Sequence, residues 1–348
     1  MKIGTLAALA LGVLLIGGCD SGGDSAKSGD AKAAADGESL RVGVVFDSGG
    51  RGDKSFNDSA WAGIEKAQQE LGLQDPKSIE SRSEKDYNGN LTSMAEQDLD
   101  LVVAVGLAQS EALKSVAPKF PDVKFAIVDS VVEAPNVRSL VFAEEQGSFL
   151  AGYLAALVSK TGKIGFVGGK SIPLIKKFEV GYIAGAKKAN PAVEVLPAKY
   201  TESWDDTILG KRNAESLFKN GADIVYHAAG RCGLGVIDAA KETGNYAIGV
   251  DSDQDGVAPG SVLTSMMKRV DEAVFQTIKD VKEGKFSTGT RVYDLKTNGV
   301  GLSPMTHTKD KVGQETLDKV DAISNLIAAG EIKVPSNEAE LADFLKSL

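Results

Sequence analysis

Three aspartates and one glycine stand where apolar, strand-like segments end, and their positions suggest binding chemistry. Asp47, Asp129 and Asp251 each close such a segment, and Gly230 follows another. An ionised carboxylate only accepts hydrogen bonds, so it can hold the vicinal hydroxyls of a sugar or the N–H edge of a heterocycle. Capping of a following helix is the alternative for each aspartate. Asp129 and Asp251 end the similar stretches FAIVDS and AIGVDS, and this repetition favours binding for the pair.

Two phenylalanines and one lysine add the chemistry needed to hold a flat ring and a hydroxyl. Phe56 lies in a polar, glycine-rich loop where no core pattern requires it, and Phe178 follows GGKSIPLIKK. An aromatic face in a cleft stacks on a flat ring. Phe178 also shares helical spacing with Tyr182 and Ala186, which is typical of core packing. Lys268 can donate to a ribose hydroxyl, although a single lysine more commonly lies in solvent.

The loop FDSGGRGDKSFND, residues 46–58, resembles a phosphate loop only in composition. A phosphate loop needs Gly-Lys-Ser/Thr after a glycine and four further residues, and Asp53 breaks that order. It also places a negative charge where an anion would bind. We therefore predict a loop for an uncharged ring. Asp53 and Lys54 are expected to face solvent, while Phe56 begins the next helix with its ring available for stacking.

Motifs for catalysis or metal binding are missing from the sequence. The chain has two histidines and two cysteines, with no HExxH helix and no GxSxG elbow. DSDQDG at residues 251–256 begins like a calcium loop but lacks the glutamate six residues after its glycine. His227 ends an apolar segment and is expected to be half-buried and hydrogen-bonded. We predict no catalytic residue, no metal site and no cofactor.

Short apolar runs separated by segments of helical period must position these residues. The first set is RVGVVF, LVVAV, FAIV and SLVFA (41–46, 101–105, 125–128, 139–143), and the second is IGFV, VEVL, DIVYH and AIGV (164–167, 193–196, 223–227, 247–250). Alternating strands and helices predict α/β units with parallel sheets. Ligands bind beyond the carboxyl ends of such strands. Two similar lobes facing each other would place the acids and aromatic rings in a cleft.

The amino terminus predicts export and a lipid anchor. Residues 6–16 form an apolar run that is too short to span a membrane but fits a signal peptide, predicted over residues 1–18. IGGC resembles the bacterial lipobox, which implies cleavage before Cys19 and lipid on the new terminus. An ordinary secretory signal is the alternative. Residues 19–39 carry no aromatic or large aliphatic side chain and predict a flexible tether at the periplasmic or extracellular face of the cell membrane.

Length and charge limit the remaining possibilities. The body after the tether has about 300 residues, above the size at which one core usually divides into two. The formal net charge is −9, and no basic stripe with interleaved aromatic residues occurs. Phosphate neutralisation needs clustered Lys and Arg, so the sequence argues against a nucleic-acid partner.

The stretch VGVVFDSGGRGDKSFNDSAWAGIEKA, residues 42–67, resembles the signature of the basic membrane protein (BMP) family of lipoproteins, which includes purine nucleoside receptors. FAIVDS, EEQGSFLAGYLAAL, KIGFVGG, FEVGYIAGAK, AAGRCGLGVIDAA and GVDSDQ extend the resemblance to about Lys268. The resemblance implies an α/β, type I periplasmic-binding-protein fold, with two Rossmann-like lobes joined by a multi-strand hinge. It also implies a nucleoside-binding protein, monomeric, that delivers its ligand to an ABC permease.

The lobe boundaries are expected at the points where the chain crosses between the sheets. We predict an N-terminal lobe of residues 40–143 and 269–295, and a C-terminal lobe of residues 144–268 and 296–348.

The family pattern, carried onto matching positions, implies a role for each candidate residue. The base would lie between Phe56 and Phe178, its polar edge would meet Asp47, Asn57 and Asp129, and the ribose would meet Gly230, Asp251 and Lys268. Arg231 and Cys232 depart from the pattern, because a small neutral pair is expected after the glycine. A cation there either turns outward or changes what fits.

Three other functions stay open at this point. One is the ligand sensor of a regulator or chemoreceptor, because the same closed form could serve it. A sugar or signal-molecule receptor of the same fold would need more polar contacts to sugar hydroxyls. A nucleoside hydrolase could use Asp47 and Asp129, but hydrolysis usually requires an acid and base pair or a metal cluster, and the sequence contains neither signature.

Overall fold

A computed structural model describes residues 39–348. The predicted signal peptide, Cys19 and all of the predicted tether except Ser39 lie outside these residues. Among the helices that are described, none combines the length and apolar character needed to cross a membrane.

Buried apolar segments form most of the strands. In chain order the strands are β1 (Val42–Phe46), β2 (Lys77–Glu80), β3 (Leu101–Val105), β4 (Lys124–Val128), β5 (Val137–Phe142), β6 (Lys163–Gly168), β7 (Glu194–Val195), β8 (Lys199–Tyr200), β9 (Ile224–Ala228), β10 (Tyr246–Asp251), β11 (Val262–Lys268), β12 (Gly289–Tyr293) and β13 (Val300–Leu302). Every residue of β1, β3 and β9 is buried, as expected for strands covered on both faces.

Helices alternate with these strands and cover the sheets. They are α1 (Phe56–Leu71), α2 (Tyr87–Ala95), α3 (Ser110–Val116), α4 (Glu144–Val158), α5 (Pro173–Ala189), α6 (Thr207–Lys219), α7 (Cys232–Thr243), α8 (Val270–Lys282), α9 (Lys309–Val312), α10 (Gln314–Ala328) and α11 (Glu338–Lys346). Close packing of α1 on α8 requires a glycine, because a Cβ at Gly63 would lie 2.3 Å from the carbonyl oxygen of Asp271.

The strands form two sheets with equivalent strand orders that differ in the direction of the last strand. The first sheet has the order β2-β1-β3-β4-β5-β12 and is parallel throughout. The second has the order β7-β6-β9-β10-β11-β13, with β8 also paired to β6, and only β13 runs antiparallel. The predicted α/β fold with two parallel sheets is therefore confirmed. In this order β4 and β10 hold equivalent positions, and so do β3 and β9.

Three chain crossings join the part built on the first sheet, called the first lobe, to the part built on the second sheet, called the second lobe. The chain leaves the first sheet after β5, returns after β11, and leaves again between β12 and β13. These crossings contact one another, since the Ala143 amide donates to the Tyr293 carbonyl and the Arg269 amide to the Gly299 carbonyl, both at 2.9 Å.

Candidate functional site

A cavity of about 160 Å³ lies where the carboxyl ends of the two sheets face each other. All eight candidate residues from the sequence line it: Asp47, Phe56, Asn57, Asp129, Phe178, Gly230, Asp251 and Lys268. Cavities of about this size hold a small ring compound. The topology thus brings together residues that are more than 200 positions apart in the chain.

The loop after β1 places Asp47 and Asn57 side by side. Asp47 Oδ1 accepts hydrogen bonds from the Gly49 amide at 2.9 Å and from Asn57 Nδ2 at 3.1 Å. Burial raises the pKa of Asp47 to about 6, although these two hydrogen bonds oppose the shift. Asn57 Oδ1 is buried and has no hydrogen-bond partner among the described residues. The pair therefore still has accepting capacity on the cavity side of α1.

Asp53 corrects the prediction that this aspartate faces solvent. Its side chain is only 1% exposed and accepts hydrogen bonds from the amides of Ser55 (2.9 Å), Asn57 (2.9 Å) and Asp58 (3.1 Å). These amides belong to the first turn of α1 and the residue before it, where backbone donors lack helical partners. Lys54 is exposed, as predicted. Asp53 holds the start of α1, and with it the ring of Phe56, in place.

Asp129 and Asp251 take the same unusual backbone conformation at equivalent strand ends. Their φ angles are 69° and 65°, in the left-handed region that non-glycine residues seldom adopt. Such strain costs about 1–3 kcal/mol and is concentrated at functional sites. Asp129 Oδ1 is buried without a hydrogen-bond partner in the described part of the chain. Burial raises the pKa of Asp251 to about 7, while Lys268 and the Ser55 hydroxyl act in the opposite direction.

Lys268 is the charged centre of the cavity and is only 1% exposed, so the alternative of a solvated lysine does not hold. Its Nζ lies 2.6 Å from Asp129 Oδ2 and 3.4 Å from Glu144 Oε1. Burial disfavours its charged form, but Asp129, Glu144 and Asp251 outweigh this effect and raise its pKa. Because Asp129 belongs to the first lobe and Lys268 to the second, this ion pair joins the lobes.

The two candidate rings flank this lysine. Nζ of Lys268 lies 5.1 Å from the centroid of the Phe56 ring and 5.6 Å from that of Phe178, within cation–π range. Phe56 is half-buried, whereas Phe178 is 2% exposed and also packs in the core of the second lobe. Phe178 therefore fits both alternatives that the sequence offered, because its side chain lines the cavity and also packs in the core.

Trp204 is a cavity residue that the sequence reasoning missed. It follows β8, lines the cavity, and lies so close to Gly169 that a Cβ there would be 2.2 Å from Trp204 Cζ3. The signal was the same as for Phe56, an aromatic residue in the polar loop TESWDD. Lys170 and Arg231 also line the cavity and were not among the candidates.

Direct contacts close the cleft beside the cavity. The Ser55 hydroxyl of the first lobe donates to Asp251 Oδ2 of the second, and Gln254 Nε2 donates to the Lys54 carbonyl at 3.1 Å. Nζ of Lys170 lies 3.5 Å from Glu84 Oε1. The structure therefore has the lobes in a closed arrangement.

His227 differs from its prediction, because it is fully buried rather than half-buried and neither ring nitrogen has a hydrogen-bond partner among the described residues. Burial lowers its pKa to about 4, so the ring is neutral at pH 7. Within residues 39–348, no three His, Cys, Asp or Glu side chains cluster to hold a metal ion.

Burial of Asp251 makes stability depend on pH in a defined direction. Its folded pKa of about 7 exceeds the ordinary value of 3.8, so its contribution to stability is present below about pH 4 and is lost as pH rises through 7. Asn at this position cannot ionise. We expect Asp251→Asn to unfold at a higher denaturant concentration than the wild type at pH 8, with the gain shrinking towards pH 4.

Denaturant unfolding followed by circular dichroism at pH 4, 6 and 8 measures this difference. The exposed Asp122, replaced by Asn, is the matched control and should follow the wild type at each pH. An Asp251→Asn midpoint equal to or below that of the wild type at pH 8 would contradict the assignment of a buried, ionising carboxylate.

Comparison with known proteins places this architecture in a family. The family model for PnrA-like ABC transporter substrate-binding proteins matches residues 40–338. A CD4+ T-cell-stimulating antigen of Listeria innocua is 37% identical, over 94% of this chain and 96% of that protein. The ABC transporter nucleoside-binding protein BmpA of Lactococcus lactis is 35% identical, over 96% and 99%. A solute-binding protein of an ABC transporter system from Aeropyrum pernix has a similar structure, with a TM-score of 0.79, 32% identity and coverage of 88% and 98%.

Proposed function

Because the chain belongs to the family of PnrA-like ABC transporter substrate-binding proteins, we propose that it captures nucleosides, with a preference for purine nucleosides, in the cavity between its lobes. One observation carries the proposal: acceptors and aromatic rings from both lobes converge on a single cavity at the strand ends. A nucleoside offers the matching parts, a flat base and a sugar with vicinal hydroxyls. The name of the Lactococcus relative agrees with this ligand class, and the purine preference rests on the sequence resemblance.

The base is assigned to the space between Phe56 and Phe178, with its polar edge towards Asp47, Asn57 and Asp129. The unpartnered Oδ1 atoms of Asn57 and Asp129 support this assignment, because buried acceptors normally have a donor. N–H groups on a base would supply one.

The sugar is assigned to Gly230, Asp251 and Lys268. An ionised Asp251 can accept from two neighbouring hydroxyls. Lys268 has three donors, of which one is given to Asp129 Oδ2 while Glu144 Oε1 lies 3.4 Å away, so donor capacity is left for a sugar oxygen.

The charges around the cavity favour an uncharged ligand over a nucleotide. The ionisable side chains that line it are Asp47, Asp53, Glu84, Asp129, Asp251, Lys170, Arg231 and Lys268. Five acids against three cations give a local excess of negative charge, which repels phosphate.

Closure of the lobes on the ligand would prepare it for transfer to a permease. Ligand contacts with both lobes favour the closed form over an open one. We propose that the protein works as a monomer outside the cytoplasm, anchored to the membrane by lipid on Cys19. The lobe boundaries predicted from the sequence belong to the same proposal.

A thermal-shift screen of the full chain tests the proposal against other receptor classes. Ligands that bind only the folded state raise the melting temperature according to their concentration and affinity. We expect guanosine, inosine or adenosine to stabilise the protein, and ribose alone to have little effect. Stabilisation by ribose or another sugar, with no response to any nucleoside, would refute it.

Trp204 provides an optical report of ligand entry. The chain has two tryptophans, Trp61 and Trp204, so Trp61→Phe leaves only the cavity residue to emit. A purine nucleoside at saturation is expected to quench or shift the Trp204 emission, because the ring lines the cavity. Trp204→Phe, which leaves Trp61 outside the cavity lining, should respond less. Unchanged Trp204 emission at a saturating ligand concentration would place the ligand elsewhere.

A further inference from the structure

Arg231 lies next to Gly230, which the proposed function assigns to the sugar, and both residues line the cavity. It follows Gly230, which has a φ of 55°, and it immediately precedes α7. The side chain lines the cavity, and its Nη2 donates a hydrogen bond to the Arg51 carbonyl of the first lobe. Arg231 therefore spans the cleft rather than turning outward.

One nitrogen of this guanidinium is left over. Nε of Arg231 is buried and has no hydrogen-bond partner among the described residues. A buried donor without an acceptor is costly, and a charged one more so. Nε of Arg51 is also unpartnered, but the Arg51 guanidinium lies 4.2 Å from the centroid of the Trp61 ring and does not line this cavity. Because Arg231 lines the cavity, a bound ligand is the source from which an acceptor for its Nε can come.

The chemistry of that acceptor follows from the neighbouring groups. A guanidinium only donates, so the ligand must offer an oxygen lone pair. Asp251 only accepts when ionised, and it is assigned to the vicinal hydroxyls, which donate to it. Apart from the ring oxygen, which can accept the free donor of Lys268, the ribose oxygen that these contacts leave is the primary hydroxyl at the 5′ end.

We propose that Arg231 holds the lobes together and recognises the sugar. Its Nη2 donates to the Arg51 carbonyl while its Nε donates to the 5′-hydroxyl of the nucleoside. This inference rests on the proposed function and adds a residue that selects nucleosides over ligands without that hydroxyl. A bound sugar oxygen fixes the guanidinium plane, and the fixed plane keeps Nη2 on the Arg51 carbonyl. Rigid planar geometry of this kind is available to arginine and not to lysine.

A double cycle, in which both the protein and the ligand are changed, tests this role of Arg231. Affinities are measured by calorimetry for the full chain, wild type and Arg231→Met, with a purine nucleoside and its 5′-deoxy analogue. The wild type should bind the nucleoside about ten- to a hundredfold more tightly than the analogue, as expected for a charged hydrogen bond. Arg231→Met should reduce this ratio to about twofold or less, and Arg231→Lys should also reduce it.

Arg51→Met is the matched control. It removes a neighbouring guanidinium but keeps the backbone carbonyl that accepts from Arg231, so the ratio should stay at the wild-type value. If the affinity ratio persists in Arg231→Met, the proposed role of Arg231 is refuted, while the proposed nucleoside binding is not. If the wild type binds neither ligand, the proposed function itself fails, so the two failures are distinguishable. Melting temperatures of all variants confirm that each compared protein is folded.

Discussion

Replacing Lys268 with methionine is expected to lower the free energy of unfolding by about 3–5 kcal/mol, the range found when one partner of a buried ion pair is removed. Lys268 is buried with Asp129 Oδ2 at 2.6 Å and Glu144 Oε1 at 3.4 Å. Methionine fills a similar volume but leaves the buried Asp129 without its cation and Glu144 with Lys177 alone, at 3.4 Å. Equilibrium denaturant unfolding at pH 7, followed by circular dichroism, measures the loss.

Two further variants separate this effect from a general loss of a lysine. Lys285 pairs with Glu283 at 2.7 Å on the surface, and Lys285→Met should leave the unfolding midpoint almost unchanged. Adding Glu144→Gln to Lys268→Met removes the charge of one of the two carboxylates that contact Lys268 and should restore part of the stability. Equal midpoints for Lys268→Met and Lys285→Met would show that the buried pair does not stabilise the closed lobes.

Phe56→Ala is expected to weaken nucleoside binding by about 1–3 kcal/mol, or roughly five- to 150-fold, because base stacking on an aromatic ring contributes this much. The ring lines the cavity next to Lys268 and is held there by the first turn of α1. The matching free base should lose affinity by a similar factor, since the lost contact is with the base. Calorimetric titration of both ligands measures the two losses.

Phe286→Ala is the control for this substitution. Phe286 is half-buried against Arg138, with the guanidinium 4.5 Å from the ring centroid, and it does not line the cavity. It should lower stability without changing affinity. An unchanged affinity in Phe56→Ala, with normal folding, would show that Phe56 does not stack on the base.

Most of the central strands were predictable because they are buried on both faces, although β11, with six of its seven residues buried, was not predicted. Continuous runs such as LVVAV leave a clear apolar signal, and the corresponding strand β3 has no exposed residue. Edge strands carry no such signal. β2 has the sequence KSIE with three exposed residues, and β12 is similarly exposed, so neither was predicted. The predicted strand at residues 193–196 is reduced to the two residues of β7 at the opposite edge.

The strand-end acids were predictable for a related reason. A parallel sheet brings the ends of its strands to one edge, so Asp129 and Asp251 could be placed from their position after apolar runs alone. Their shared left-handed conformation supports the equivalence that FAIVDS and AIGVDS suggested. Burial was not predictable for Asp53, because the amides it accepts from become available only when the loop and α1 form.

Contacts between segments that are distant in the sequence also could not be predicted from it. No local sequence pattern indicates that the guanidinium of Arg231 reaches the Arg51 carbonyl, 180 residues away. Trp204 had a local signal, but its position on Gly169 depends on the pairing of β8 with β6. Local patterns thus predicted the elements and the strand-end residues, whereas the mouth of the cavity depends on how two lobes meet.

Titration calorimetry of the full chain in detergent solution, with a purine nucleoside and with ribose, shows whether the cavity binds nucleosides. We expect saturable binding of one nucleoside per chain, with the negative heat-capacity change that accompanies burial of apolar surface, and much weaker binding of ribose. Saturable binding of ribose or another sugar, with no heat from any nucleoside, would contradict this expectation.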